Sequence, residues 1–446
     1  MGMQTTTKNT ESYKETELGW LPESWDVVKF EDIGKFQYGY TETSSTKKIG
    51  PKFLRITDID LNSSRIFWET VPYCKIIKEE FPKYELGNGD ILIARIGATT
   101  GKTCIIRNNP PESVFASYLI RFSCDKQKIL SDYCYFFMTG KLYWEQINAN
   151  KEGKLKKGVS SSQLKKFKIT LPPIPEQQKI AHVLSTIQTA QEKIEAVITA
   201  HKELKKAMMK HLFTYGPVSL EEAKNVKVKE TEIGLVPEEW DVVKLGDIAN
   251  FKNGINFNRE QKGNIGILTI DVLNMYGGLY VNLNNLYRIN KNVGDDYLLD
   301  EGDILFVRSS LKQEGVGWTS LFKEIDEPVT YCGFIIRARL KRKDSSPEFF
   351  TNFLRTEIAR KNLIASSGKV AITNINQGML GRILIPVPSF SIQQQISSIL
   401  STVDQKIEIE KIKKNSLDEL FKSMLHNLMT AKIRVNELVI PNEKNQ

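Results

Sequence analysis

Gly97-Ala98-Thr99-Thr100-Gly101-Lys102-Thr103 is one residue short of G-x-x-x-x-G-K-[ST], the loop that cradles nucleotide phosphates. Such a loop must open a helix, so that the amides of its first turn face the phosphate. Here it runs into Cys104-Ile105-Ile106-Arg107, which reads as strand, so a β-turn carrying one lysine is expected. Glu85-Leu86-Gly87-Asn88-Gly89 and Asn109-Pro110-Pro111-Glu112 imitate two methyltransferase motifs, the glycine loop for S-adenosylmethionine and the N-P-P-aromatic turn for a target base. The second ends in Glu instead of a ring, and the glycines precede a strand, so both read as turns. His182, His201, His211 and His426 fall in long helical stretches, with no spacing suited to a metal. Five cysteines, odd in number and without a C-x-x-C pair, read as reduced, mostly buried thiols. With no nucleophile elbow or zincin signature either, the chain is expected to do no chemistry of its own.

Binding remains. Arg55, Arg95, Lys102, Lys154, Lys156 and Lys157 punctuate the turns of the first half of the chain. Arg259, Lys262, Arg308, Lys312, Trp318 and Lys369 do so in the second. Arg can read guanine bidentately in the major groove, while Lys mostly holds phosphate. A net charge of +9 and a pI near 9.0 favour a polyanionic partner. No apolar run reaches membrane-spanning length and the polar start carries no signal-peptide core, so a soluble, cytoplasmic protein is expected.

These residues sit on a frame written twice. Glu15 to Ile33 (ETELGWLPESWDVVKFEDI) and Glu230 to Ile248 (ETEIGLVPEEWDVVKLGDI) are identical at 13 of 19 positions. Gly89-Asp90-Ile91-Leu92 with Arg95 returns as Gly302-Asp303-Ile304-Leu305 with Arg308, and Gln177-Gln178 returns as Gln393-Gln394. The period is far too long for a solenoid and matches a duplicated domain. Each half offers short β-like runs, a helical stretch, a Gly/Ser loop and a proline-marked strand, which together read as an α+β domain with a largely antiparallel sheet.

A long helix then closes each half. Ile180, Val183, Ile187, Ala190, Ile194, Val197, His201, Leu204, Met208 and His211 recur at alternating spacings of three and four, a heptad seam. The second seam is Ile396, Ile399, Val403, Lys406, Glu410, Lys413, Leu417, Leu420 and Met424, with Leu400, Ile407 and Phe421 as an alternative flank around its polar middle. Ser391 is the expected N-cap. At about 1.5 Å per residue each helix would run on the order of 55–60 Å. Neither can bury its stripe in one small domain, so antiparallel pairing of the two is expected. The expected division is a tail over 1–13, a first domain over 14–175, a helix over 176–215, a second domain over 216–391, a helix over 392–432 and a tail over 433–446.

The openings Leu18 to Trp25 and Ile233 to Trp240, the G-D-I-L turn-strands and the closing Leu171 to Ser185 (LPPIPEQQKIAHVLS) resemble specificity subunits of type I restriction-modification systems. The likeness runs from about Glu15 to Thr430. It implies two target-recognition domains in pseudo-two-fold relation, each reading half of a bipartite double-stranded DNA site, separated by two antiparallel coiled-coil helices. It also implies two methyltransferase subunits docked on those helices and restriction subunits joining them. S-adenosylmethionine, ATP and Mg would belong to these partners and none to this chain. The second copy departs from the proline-Glu-Gln pattern, reading VPSFSIQQQI from Val387 to Ile396. Arg55 aligns with Leu268, and the Lys154 loop with Lys369 and uncharged neighbours, so the two half-sites should differ and the target be asymmetric. A self-sufficient methyltransferase or nuclease, or a protein scaffold, are the other readings of the same chain.

Overall fold

The computed structural model describes residues 12–60, 65–150, 158–310, 315–342, 344–365 and 373–435. The chain forms two compact units. Unit 1 joins the chain up to Lys193 with the chain from Lys414 on, and unit 2 is Ile194–Lys413. The division falls inside both long helices, so each unit holds part of each helix.

In unit 1 the hairpin Tyr13–Thr16 with Gly19–Pro22 turns on Gly19, whose φ of +105° few other residues adopt. It delivers Trp25 into the core, fully buried beside Phe30, Phe122, Tyr133 and Phe137. The central sheet has the order Gly34–Tyr38, Leu119–Cys124, Ile91–Ala94, Thr103–Ile105, antiparallel throughout. Phe53, Val114 and Phe115 hold a short parallel pair, Lys52–Leu54 with Ser113–Phe115, beside it.

The tempting motifs prove to be scaffold. Gly97 and Gly101, at φ +81° and +90°, turn Ile91–Ala94 back into the strand Thr103–Ile105, so no helix follows the near-P-loop. The Pro-Pro motif sits in the turn before Ser113–Phe115, preceded by Asn108 and Asn109 at positive φ. In G-D-I-L the glycine takes positive φ and the aspartate ties the sheet together. Asp90 accepts from the Gly87 amide, Arg121 and Ser123. Asp303, 1% exposed, accepts from the Asp300 amide and is gripped through both oxygens by Arg339.

Unit 2 repeats the central sheet in the same order, Ala249–Asn253, Ile335–Leu340, Ile304–Val307, Thr319–Leu321. Its side sheet is larger. Lys262–Gly263, Tyr287–Ile289 and Ile267–Ile270 pair antiparallel, and Val329–Tyr331 adds a parallel strand. The shared parallel pairing corrects one alignment. Leu54 lies opposite Phe115 as Ile270 lies opposite Tyr331, so Arg55 corresponds to Asp271, not Leu268.

The long helices are Ile174–Tyr215 and Phe390–Met429, 42 and 40 residues. Gln177, fully buried, explains the shared glutamine: its amide donates to the Pro172 and Lys128 carbonyls and accepts the Leu130 N–H. Gln393 does the same for Pro388 and Ser346. Leaving such buried groups unpaired would cost about 1–3 kcal/mol each. Ser391 does not cap the second helix. It lies inside the first turn, and Ser389, directly before the helix, accepts the Gln393 N–H on its carbonyl.

Within unit 1, Gln191 donates to Asp418; within unit 2, Lys205 donates to both oxygens of Asp404. Fourteen residues forward on one helix match fourteen back on the other, the register of antiparallel pairing. The buried rows correct the expected seam by one position. Ile180, Ile187, Ile194, His201 and Met208 form one inward row, but its companion is Leu184, Gln191, Ile198, Lys205 and Leu212. Val197 and Leu204 stand outward, 40% and 49% exposed. On the second helix Ile396, Val403, Glu410, Leu417 and Met424 face inward with Leu400, Ile407, Lys414, Phe421 and Leu428. Lys406, Lys413 and Leu420 are exposed, so the alternative flank is the one used. The physical reason is the aliphatic content of long polar chains: Gln191 and Lys205 lie along the seam and reach a carboxylate at its edge.

Candidate nucleic-acid interface

Both central sheets end in the same pair of turns. In unit 1 the strand Ile91–Ala94 runs into Arg95, whose N–H donates to the Tyr118 carbonyl at 3.0 Å and whose carbonyl accepts the Val159 N–H at 2.9 Å. Tyr118 occupies the third position of a β-turn closed by Leu119 N–H to Ala116 O, 2.9 Å. Unit 2 builds the same corner. Arg308 N–H donates to Phe334 O at 2.7 Å, Arg308 O accepts the Ile375 N–H at 3.0 Å, and Ile335 N–H closes on Cys332 O at 3.0 Å.

The guanidinium groups are held differently. Arg95 lies over the Tyr38 ring, 4.8 Å from its centroid. Partial burial raises the Tyr38 phenol, yet hydrogen bonding from the Ser161 side chain and amide, with the Arg95 charge, outweighs it and sets the phenol below its ordinary value. Asn253 stands where Tyr38 would be, paired with Ile336 as Tyr38 pairs with Ile120. Arg308 instead donates to the Gly333 carbonyl within its own corner, 3.3 Å. Both arginines are half-buried and held by backbone hydrogen bonds at equivalent corners.

The other expected contact residues scatter. Arg55 is pinned by two bonds to Asp58 and one to Ser44, which leaves little of its fork for a ligand. Asp271, its counterpart, caps the turn Val272–Met275, so the position reverses charge between units. Lys102 is half-buried at the mouth of its turn. Arg259 is exposed on the turn Arg259–Gln261. Lys262 stacks on Tyr287 at 3.7 Å. Trp318 belongs to the scaffold: its indole donates to Met275 O, and Arg355, which burial pulls down to about 10, lies 4.9 Å over its ring. Lys154, Lys156, Lys157, Lys312 and Lys369 lie outside the described residues.

Sequence reasoning missed one tie and one pair of rings. Trp25 donates to Glu176 at 2.8 Å, and Arg434 grips the same carboxylate through two nitrogens. Ile392, packed against the core cluster that holds Trp240, takes the matching position and cannot accept such a bond. Tyr118 and Phe334 stand out at 56% and 60% exposure, although each opens a run that reads as buried strand. Among the described residues no His/Cys/Asp/Glu group could hold a metal, and no helix is long and apolar enough to cross a membrane.

Comparison with known proteins agrees with the duplication. The family model described as the type I restriction modification DNA specificity domain matches residues 22–205 and again 237–419. A Methanocaldococcus jannaschii protein assigned to the MjaX type I restriction enzyme as its specificity subunit is 29% identical, covering 95% of this chain and 97% of its own. The type I restriction enzyme MjaVIII specificity subunit of the same organism is 26% identical, over 96% and 97%. Among solved structures, the S subunit of the type I restriction-modification system of M. genitalium superposes with a TM-score of 0.56 at 16% identity, over 95% of this chain and 98% of that one.

Proposed function

Since this chain belongs to the type I restriction-modification DNA specificity family, we propose that it is the sequence-reading, non-catalytic subunit of such a complex. Each unit reads one half of an asymmetric bipartite site on double-stranded DNA. The observation that carries this is the corner built twice: one backbone frame presents Arg95 and Arg308, with different neighbours holding each guanidinium. A shared frame with unlike contacts suits two unlike half-sites.

In this reading two methyltransferase subunits and the restriction subunits are the partners, and they bring S-adenosylmethionine, ATP and Mg. The complex works in the cytoplasm, where the DNA is. The continuous helices set the number of unread base pairs between the half-sites.

Sequencing the methylated positions left by the complete complex tests the reading. A motif of two defined halves around a fixed gap is expected. Inserting four residues into each helix adds about 6 Å and should widen the gap by about one to two pairs, at roughly 3.4 Å per pair. A changed half-site with an unchanged gap contradicts it. Binding of S-adenosylmethionine by the purified chain alone would favour a self-sufficient enzyme instead.

A further inference from the structure

Among the described residues the side chains of Tyr118 and Phe334 make no hydrogen bond or ring contact; only their backbones serve the fold. Their turns need only a residue able to occupy the third position, a place where small polar residues are usual. The residues that open and close each turn are packed away: Ala116 and Leu119 are 5% and 1% exposed, Cys332 and Ile335 2% and 0%. Only the ring projects. A single exposed aromatic residue is ordinary. Two at equivalent corners are another matter, because the residues around them have changed: Ser117 to Gly333, Tyr38 to Asn253, Ile96 to Ser309. What persists is an exposed ring whose carbonyl holds the backbone of an arginine.

We propose that Tyr118 and Phe334 are specificity-determining residues that contact base edges of the two half-sites, each beside the base or phosphate taken by its arginine. The proposal rests on the DNA reading above and names the chemistry each corner selects. Phe334 has only an apolar ring to offer, which fits the C5-methyl of thymine in the major groove. Tyr118 adds a hydroxyl that can donate or accept, so its corner hydrogen-bonds a base edge. The neighbouring guanidinium favours a polyanion over an apolar protein surface as the occupant.

The test uses the full chain assembled with its methyltransferase subunits and sequences the methylated motif for Phe334→Ala, Tyr118→Ala and Tyr118→Phe. Phe334→Ala should lose thymine preference, by roughly tenfold, at one position of one half-site. Tyr118→Ala should relax one position of the other, and Tyr118→Phe should shift that position toward thymine. Assembly and melting temperature should stay as in the parent. Unchanged motifs in both alanine variants, while the parent modifies its bipartite motif, would overturn the proposal and leave the DNA reading standing. So would failed assembly or a lowered melting temperature, which would put the rings against protein or in the fold. A parent complex that modifies no defined motif would remove the DNA reading itself.

Discussion

Unit 1 and unit 2 share a central sheet strand for strand, yet they differ in several of the groups set around its corners. The sheet is identical in order because its determinants are few and local: a positive-φ glycine before the inner strand, an aspartate that takes an arginine from the next strand, a buried Trp at the hairpin. The differences collect at the rim. Asn253 in unit 2 holds the position of Tyr38 in unit 1, Asp271 that of Arg55, and a two-stranded side sheet becomes four-stranded. Such a division lets recognition change without disturbing the core.

The two units should differ most in energy at the Trp signature. Trp25→Ala should cost about 3–5 kcal/mol of stability as a large buried ring is lost. It should exceed Trp240→Ala, since Trp25 also satisfies the buried Glu176 carboxylate. Chemical denaturation of both variants measures this; equal losses would deny the tie any role. The helices offer a test with fixed chemistry. Leu184→Ala, in unit 1, removes a fully buried side chain and should cost about 2–5 kcal/mol. Leu204→Ala, in unit 2, removes one 49% exposed and should stay within about 0.5 kcal/mol. Similar costs would restore the seam expected from spacing.

Much of this is legible in the amino-acid sequence. The duplication and both long helices follow from repeated motifs and heptad spacing, and the strand after Lys102 from the apolar run Cys104–Ile106. The helix seam was misplaced because Gln191 and Lys205 occupy inward positions while the apolar Ala190 and Leu204 sit beside them. Periodicity rewards the apolar neighbour and cannot see a polar chain laid along the seam to reach Asp418 or Asp404. The Arg55 alignment slipped because side-sheet register depends on pairing with Phe115 and Tyr331, far along the chain. Tyr118 and Phe334 were hidden for a simpler reason: a ring at the start of a strand-like run carries no mark of which side of a turn it leaves.

In the proposed function the two corners read separate half-sites independently. Arg95→Ala and Arg308→Ala, each assembled with the methyltransferase subunits, test it directly through the methylated motif. Each should relax one half-site, by about 1–3 kcal/mol of discrimination if the lost contact is to a base, and leave the other half and the gap untouched. Variants that altered both halves together, or neither while the parent motif held, would contradict the account.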